Sequence, residues 1–187
     1  MSFTALKTSI RADHDAMRDA RDRYPTSGSS MTKRPMVGDA IQKVGFQMLI
    51  VVRCMAFVRS LSIPFAGQLV SRLIRHLYGA EIHWDASIAD GVSIVHGNGL
   101  VISHGSSVGR GCILFHNVTL GESIDPLTRE VGAPTLEANV HIGPGAVLLG
   151  PIIIGEGTKI MANAVVTQSV PARSIIRSPT VAVEGRP

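Results

Sequence analysis

A six-residue period constrains this chain more than any other feature. Leu136, Ile142, Leu148, Ile154, Ile160 and Val166 each open a hexapeptide, and four residues after each opener stands a small or β-branched residue: Val140, Ala146, Ile152, Thr158, Ala164 and Val170. With aliphatic residues at about one position in four, six consecutive openers would arise by chance roughly once in 4,000. Such a period marks a parallel β-helix, in which each hexapeptide is a short strand plus a turn and the opener points to the coil axis. Stacked coils bury one another's aliphatic columns, and no single coil is stable alone.

The pattern extends upstream with two interruptions. Ile82, Ile88 and Ile94 open three hexapeptides, and Ile102, Val108, Leu114 and Leu120 open four more. The step from Ile94 to Ile102 carries two extra residues beside His96-Gly97-Asn98-Gly99. The second break, Gly121 to Thr135, is rich in charge and turn residues and predicts a loop that leaves the coil before Leu136 resumes it. Regular repeats pack, so chemistry is expected at the interruptions.

Composition agrees with a mainly β coil. Aromatic residues make up 4% of the chain, charged residues 17%, and there are 19 glycines. A length of 187 residues allows one sizeable core with a helical appendage. The net charge of +4 suits a solvated basic surface or attraction of phosphates on a nucleotide-like molecule. Nucleic acid is not an expected partner, because no basic stripe with interleaved aromatics occurs. Cys54 and Cys112 make no disulfide framework, and Cys112, at a small-residue position of a hexapeptide, reads as a buried thiol. The first 17 residues carry acids and lack a continuous apolar run, unlike a signal peptide. The apolar run Val44 to Val58 is broken by Gln47 and Arg53 and is too short to span a bilayer. These features predict a cytoplasmic protein without membrane insertion.

Residues 3 to 23 read as a helix with an apolar stripe of Phe3, Leu6, Ile10, Met17 and Ala20. Tyr24-Pro25 and the segment Thr26 to Pro35 read as a flexible connection. Further helices are expected from about Val37 to Ser60 and Pro64 to Tyr78, with Gly79 as a stop. The chain thus divides into a helical region (1–80), a β-helix (81–170) and a tail (171–187) that begins at Pro171. The open ends of a β-helix need covers, and the helices and tail are expected to supply them.

At this point the residues resemble a known family. Ile10-Arg11-Ala12-Asp13, Arg53, Glu81-Ile82-His83, His96-Gly97-Asn98-Gly99-Leu100-Val101-Ile102 and Val118-Thr119-Leu120-Gly121, ahead of clean terminal hexapeptides, resemble the serine acetyltransferases of the hexapeptide acyltransferase superfamily. The likeness spans residues 5 to 172. It implies a left-handed parallel β-helix with an N-terminal α-helical cap, a homotrimer that can pair into a dimer of trimers, and acetyl-CoA as co-substrate without a metal. It implies an active site between subunits, where His96 deprotonates the acceptor hydroxyl and Glu81, standing where the family has aspartate, orients the imidazole. Gly121, Pro144, Lys159 and Ala162 match or stand at cofactor-contacting positions, and Lys159 would pair with a CoA phosphate. The chemistry agrees, since an alcohol needs a base to attack a thioester and imidazole titrates near neutrality.

The chain also departs from that pattern. The family's loop histidine and the arginine before it fall on Ala133 and Gly132, and two substrate-holding aspartates fall on Val95 and Tyr24. Charged amino acids need polar partners in a buried site. The acceptor is therefore expected to be L-serine or, given these losses, a saccharide or small-metabolite hydroxyl. His104 and His116 are candidates to replace the loop histidine, while His83 and His141 read as structural. The zinc arrangement of related gamma-class carbonic anhydrases needs two histidines five apart on one coil, which this chain lacks. The competing class is a non-catalytic hexapeptide trimer that binds a partner. The C-terminal isoleucine by which serine acetyltransferases dock their partner enzyme has no counterpart in Glu184-Gly185-Arg186-Pro187.

Overall fold

The computed structural model describes residues 1–23, 35–125 and 128–178. The tail beyond 178 and the connection that includes Tyr24 lie outside the described residues. From Glu81 onward the chain winds into a three-sided coil of parallel strands. Its first face joins Glu81–Ile82, Val101–Ile102, Thr119–Gly121, Val147–Leu149 and Val165–Val166. The second face joins Ser87–Ile88, Ser107–Val108, Thr135–Leu136 and Ile153–Ile154. The third joins Ser93–Val95, Ile113–Phe115, His141–Ile142, Lys159–Ile160 and Ile175–Ile176.

The hexapeptide openers fill the interior. Leu136, Ile142, Leu148, Ile154, Ile160 and Val166 are buried, as are their partners from Val140 to Val170. Upstream, Ile82, Ile94, Ile102, Val108, Leu114 and Leu120 are buried as well, while Ile88 is half-buried. Cys112 is a buried thiol whose pKa is pushed up to about 11 by burial. The coil does not stop at Val170. After Pro171 one more turn places Ile175–Ile176 on Lys159–Ile160, because proline fits the turn and leaves the next strand free to pair. The second interruption projects as an antiparallel hairpin, Ser123–Ile124 against Val131–Gly132.

Four helices precede the coil: α1 (Phe3–Arg23), α2 (Met36–Gln42), α3 (Val44–Ser60) and α4 (Ala66–Tyr78). The single helix expected over Val37 to Ser60 is thus two, bent by 103° at Lys43. The bend sets α3 down on the strand Ser93–Val95, and Gly45 makes the approach possible. A Cβ there would stand 1.9 Å from the Ile94 carbonyl oxygen. Met48, Leu49, Val52 and Met55 of α3 then join the coil's aliphatic core as one cluster.

A buried ionic seat fastens this cap. Arg53 donates from Nε and Nη2 to the Asp13 carboxylate at 2.7 and 2.9 Å, and from Nη1 and Nη2 to the carbonyls of Ile88 and Ala89 at 2.6 and 2.7 Å. Asp13 also accepts from the amides of Gly91 and Val92 at 2.9 and 3.2 Å. The α1 stripe is consequently more polar than expected. Asp13, His14 and Ser9 are buried beside Leu6 and Ala20, whereas Phe3 is exposed. Among the described residues no single helix is long and apolar enough to cross a membrane.

Candidate active site

The residues singled out from the sequence divide between two edges of the coil. The first edge is the column of turns leading from the third face to the first. Backbone hydrogen bonds stack it: Gly99 N–H to the Gly79 carbonyl, Asn117 to Asn98, Gly145 to His116 and Asn163 to Pro144. His96, His116, Pro144 and Ala162 all lie on this edge. The two extra residues lengthen its lowest turn, and His96 takes left-handed backbone there (φ 54), which aims the imidazole outward. Gly97 beneath it is buried, and a Cβ at that position would meet the Met48 sulfur at 2.3 Å. Helix α3 thus supports the histidine turn from below.

His116 of the next coil meets His96 edge to face, with ring centroids 6.2 Å apart and planes at 73°. Its Nδ1 is buried and has no hydrogen-bond partner among the described residues. Burying a bare N–H is costly, so the neutral ring that carries its proton on Nε2 leaves only a lone pair at Nδ1. Val95 pairs in register with Phe115, and the two half-buried side chains form an apolar wall beside the histidines. Lys159, exposed on the third face next to His141, lies on the strand that runs into the Ala162 turn.

Glu81 does not touch His96. Its carboxylate is held by Arg75 of α4 at 2.5 Å, and among the described residues no hydrogen bond or ion pair joins it to His96. The expected dyad is therefore not made in this conformation, because α4 ends directly above the first strand and brings an arginine to it. Sequence spacing gives no warning of that competitor.

The second edge, from the first face to the second, carries Gly121 and the hairpin. Here His104 has a carboxylate near each ring nitrogen, Asp85 at 3.4 Å from Nε2 and Glu122 at 3.7 Å from Nδ1. His83 lies 5.2 Å from it, ring to ring, and its Nδ1 accepts the Asp85 amide at 3.1 Å. Partial burial and then the His104 charge hold the His83 pKa below its ordinary value. Ala133 stands beside this edge, since a Cβ on Gly105 would lie 3.9 Å from its own. Among the described residues no three His, Cys, Asp or Glu side chains are grouped to hold a metal ion.

The family model for the bacterial transferase hexapeptide, six repeats, matches residues 133–168. The chain is 39% identical over 130 residues to a serine acetyltransferase of Synechococcus elongatus, covering 68% of this chain and 52% of that one. It is 39% identical over 110 residues to a serine acetyltransferase of Helicobacter pylori, covering 59% and 63% respectively. The chain thus spans between about half and just under two thirds of these relatives' length. Among solved structures, the Neisseria gonorrhoeae serine acetyltransferase superposes with a TM-score of 0.80 at 23% identity, covering 95% of this chain and 66% of that one. Serine acetyltransferase isoform 3 of Entamoeba histolytica gives 0.77 at 24% identity, covering 98% and 63%. The shared fold is the left-handed parallel β-helix with an N-terminal helical region. Residues 133–168 match the hexapeptide family model, and the resemblance read from the motifs to the serine acetyltransferases holds.

Proposed function

We propose that the protein is an acetyl-CoA-dependent O-acetyltransferase with His96 as its general base. The observation that carries this reading is the first edge, where His96 and His116 meet at 6.2 Å over a turn braced by α3. His96 takes the proton as the acceptor hydroxyl attacks the thioester carbonyl, and returns it to the departing CoA sulfur. His116, with its proton on Nε2, is the second polar group available to the reacting atoms and takes the place left by Ala133. Glu81 orients His96 when it leaves Arg75, which its 49% exposed side chain allows.

The donor fits the same edge. Pro144 and Ala162 leave small, half-buried turns above His116, and Lys159 offers an exposed ammonium for a phosphate. Gly121 stands on the other edge of the same chain. A CoA that touches both Gly121 and Pro144 therefore lies between two chains, as the proposed homotrimer with sites at its subunit boundaries requires. The hairpin of one subunit then closes over the neighbour's histidines.

The relatives are named for serine, but the wall that this chain sets beside His96 is made of the apolar side chains Val95 and Phe115. An uncharged hydroxyl of a saccharide or small metabolite suits that wall better. The deciding experiment measures CoA release with L-serine and with a panel of sugars and hydroxylated metabolites, for wild type and His96→Ala. Turnover on an uncharged acceptor that disappears in the variant supports the reading. Efficient turnover on L-serine overturns the acceptor assignment and keeps the chemistry. A folded trimer with no turnover on any acceptor returns the protein to the class of binding scaffolds.

A further inference from the structure

The helices carry a surface that acetyl transfer does not use. Between α3 and α4, Leu61, Ile63 and Phe65 are all exposed in a turn without a charged residue. Phe65 is held in left-handed backbone (φ 61), unusual for a bulky side chain, and the residue is 74% exposed. Along α4, Leu69, Leu73 and Leu77 recur every four residues and form one outward ridge, while Gly67 and Ile74 are buried on the opposite side. The start of α1 reaches the same end of the cap. The Ser60 hydroxyl donates to the Met1 carbonyl at 3.4 Å, and exposed Phe3 packs on Phe57 with the Lys7 ammonium 4.6 Å from its ring.

Charge decides what this surface meets. No Asp or Glu occurs from Ala40 to Ala80, while Lys43, Arg53, Arg59, Arg72 and Arg75 do. Arg53 is buried on Asp13, and Arg59 and Arg75 are held by Asp85 and Glu81. Arg72 and His76 remain exposed along the leucine ridge. Exposed apolar surface of this extent marks an interaction site. Two copies of the chain meeting ridge to ridge would set one acid-free, arginine-bearing surface against another, so like charges would meet. An anionic bilayer complements both components, with headgroups for the cations and acyl chains for the apolar tip.

We propose that α4 and the turn before it seat the protein on the surface of an anionic lipid bilayer, with Phe65 and the leucine ridge in the interface. The helix lies in the plane of the surface and does not span. This inference is independent of the acetyl-transfer reading, and its readout is lipid binding alone.

The test is co-sedimentation of the full chain with vesicles of phosphatidylcholine alone, and with vesicles of phosphatidylcholine mixed with phosphatidylglycerol. Wild type is expected to partition at least about tenfold more strongly onto the phosphatidylglycerol vesicles and to be released as salt rises. Phe65→Ser and Leu73→Ser each lower that partitioning about tenfold, and Arg72→Glu removes the preference for phosphatidylglycerol. These positions are exposed, so circular dichroism should show an unchanged fold. Wild type that stays in the supernatant with both vesicles overturns the proposal, as do variants that sediment like wild type. A drop in particle mass by light scattering for Phe65→Ser or Leu73→Ser also overturns it, because the ridge is then covered by another copy of the chain.

Discussion

The two histidine-bearing edges come from the same repeat, yet they offer opposite chemical environments. On the second edge His104 lies between Asp85 and Glu122, with a carboxylate near each ring nitrogen. The ring is thus flanked by anions at 3.4 and 3.7 Å. On the first edge His96 is exposed, and the His116 Nδ1, with no partner among the described residues, lies against an apolar wall. A general base needs one nitrogen open to substrate and a surrounding that does not already satisfy it. The difference teaches that the repeat supplies positions, while the residues on neighbouring coils decide which position can do chemistry.

The sharpest way to break this comparison is to exchange the edges' histidines for residues that cannot accept a proton. His96→Ala should lower kcat/KM by about 10²–10⁴-fold in the CoA-release assay, the usual contribution of a positioned base. His104→Ala should leave it within about threefold, since His104 lies between two carboxylates on the edge away from His96. Equal losses at the two positions would abolish the distinction. A comparable effect, seen in stability, comes from the ionic seat that fastens the helices to the turn between the second and third faces. Arg53→Met leaves Asp13 buried without its cation and should cost about 3–5 kcal/mol in denaturant unfolding. Gly45→Ala forces α3 away from Ile94 and should cost about 1–3 kcal/mol, with lower activity because the turn under His96 shifts.

Smaller effects sharpen the comparison. His116→Gln should reduce kcat by about tenfold with little change in KM and alter the pH profile, which a packing role would not do. Glu81→Gln should cost less than His96→Ala, because Arg75 competes for the carboxylate. The smallest change is spectroscopic. By NMR titration His83 should have a midpoint below 6.5, and in His104→Gln it should rise part of the way back as one of the charges opposing it is removed. The folded chain then binds this proton less readily than the unfolded chain. Its contribution is fully present above 6.5 and is lost as pH falls through that value toward the lowered midpoint.

Much of the coil was legible because side-chain burial in a β-helix repeats with the chain itself. Every terminal opener from Leu136 to Val166 is buried where the period put it. Helix α1 was legible in extent, but its buried face was not. Amphipathic counting favours Phe3, whereas the ion pair with Arg53 draws Asp13 inward. The bend at Lys43 was hidden for a similar reason: an apolar run gives no sign of where it must turn to meet Ile94. The site was legible in part. The two extra residues pointed to His96, but its approach to His116 depends on how that lengthened turn stacks beneath the next one. The exposed ridge of α4 was also invisible, since its leucines look the same in sequence whether they face a core or solvent.

By itself, then, the sequence determined the coil, its interruptions and the kinds of side chain available there. These follow from local periodicity and from chemistry that each residue carries wherever it goes. Tertiary structure alone decided that His96 faces His116, that Glu81 is held by Arg75, and that Gly121 stands on a different edge from Pro144. Each of these relations joins residues from separate turns or from helix and coil, and it exists only once backbone stacking has fixed which side chains become neighbours.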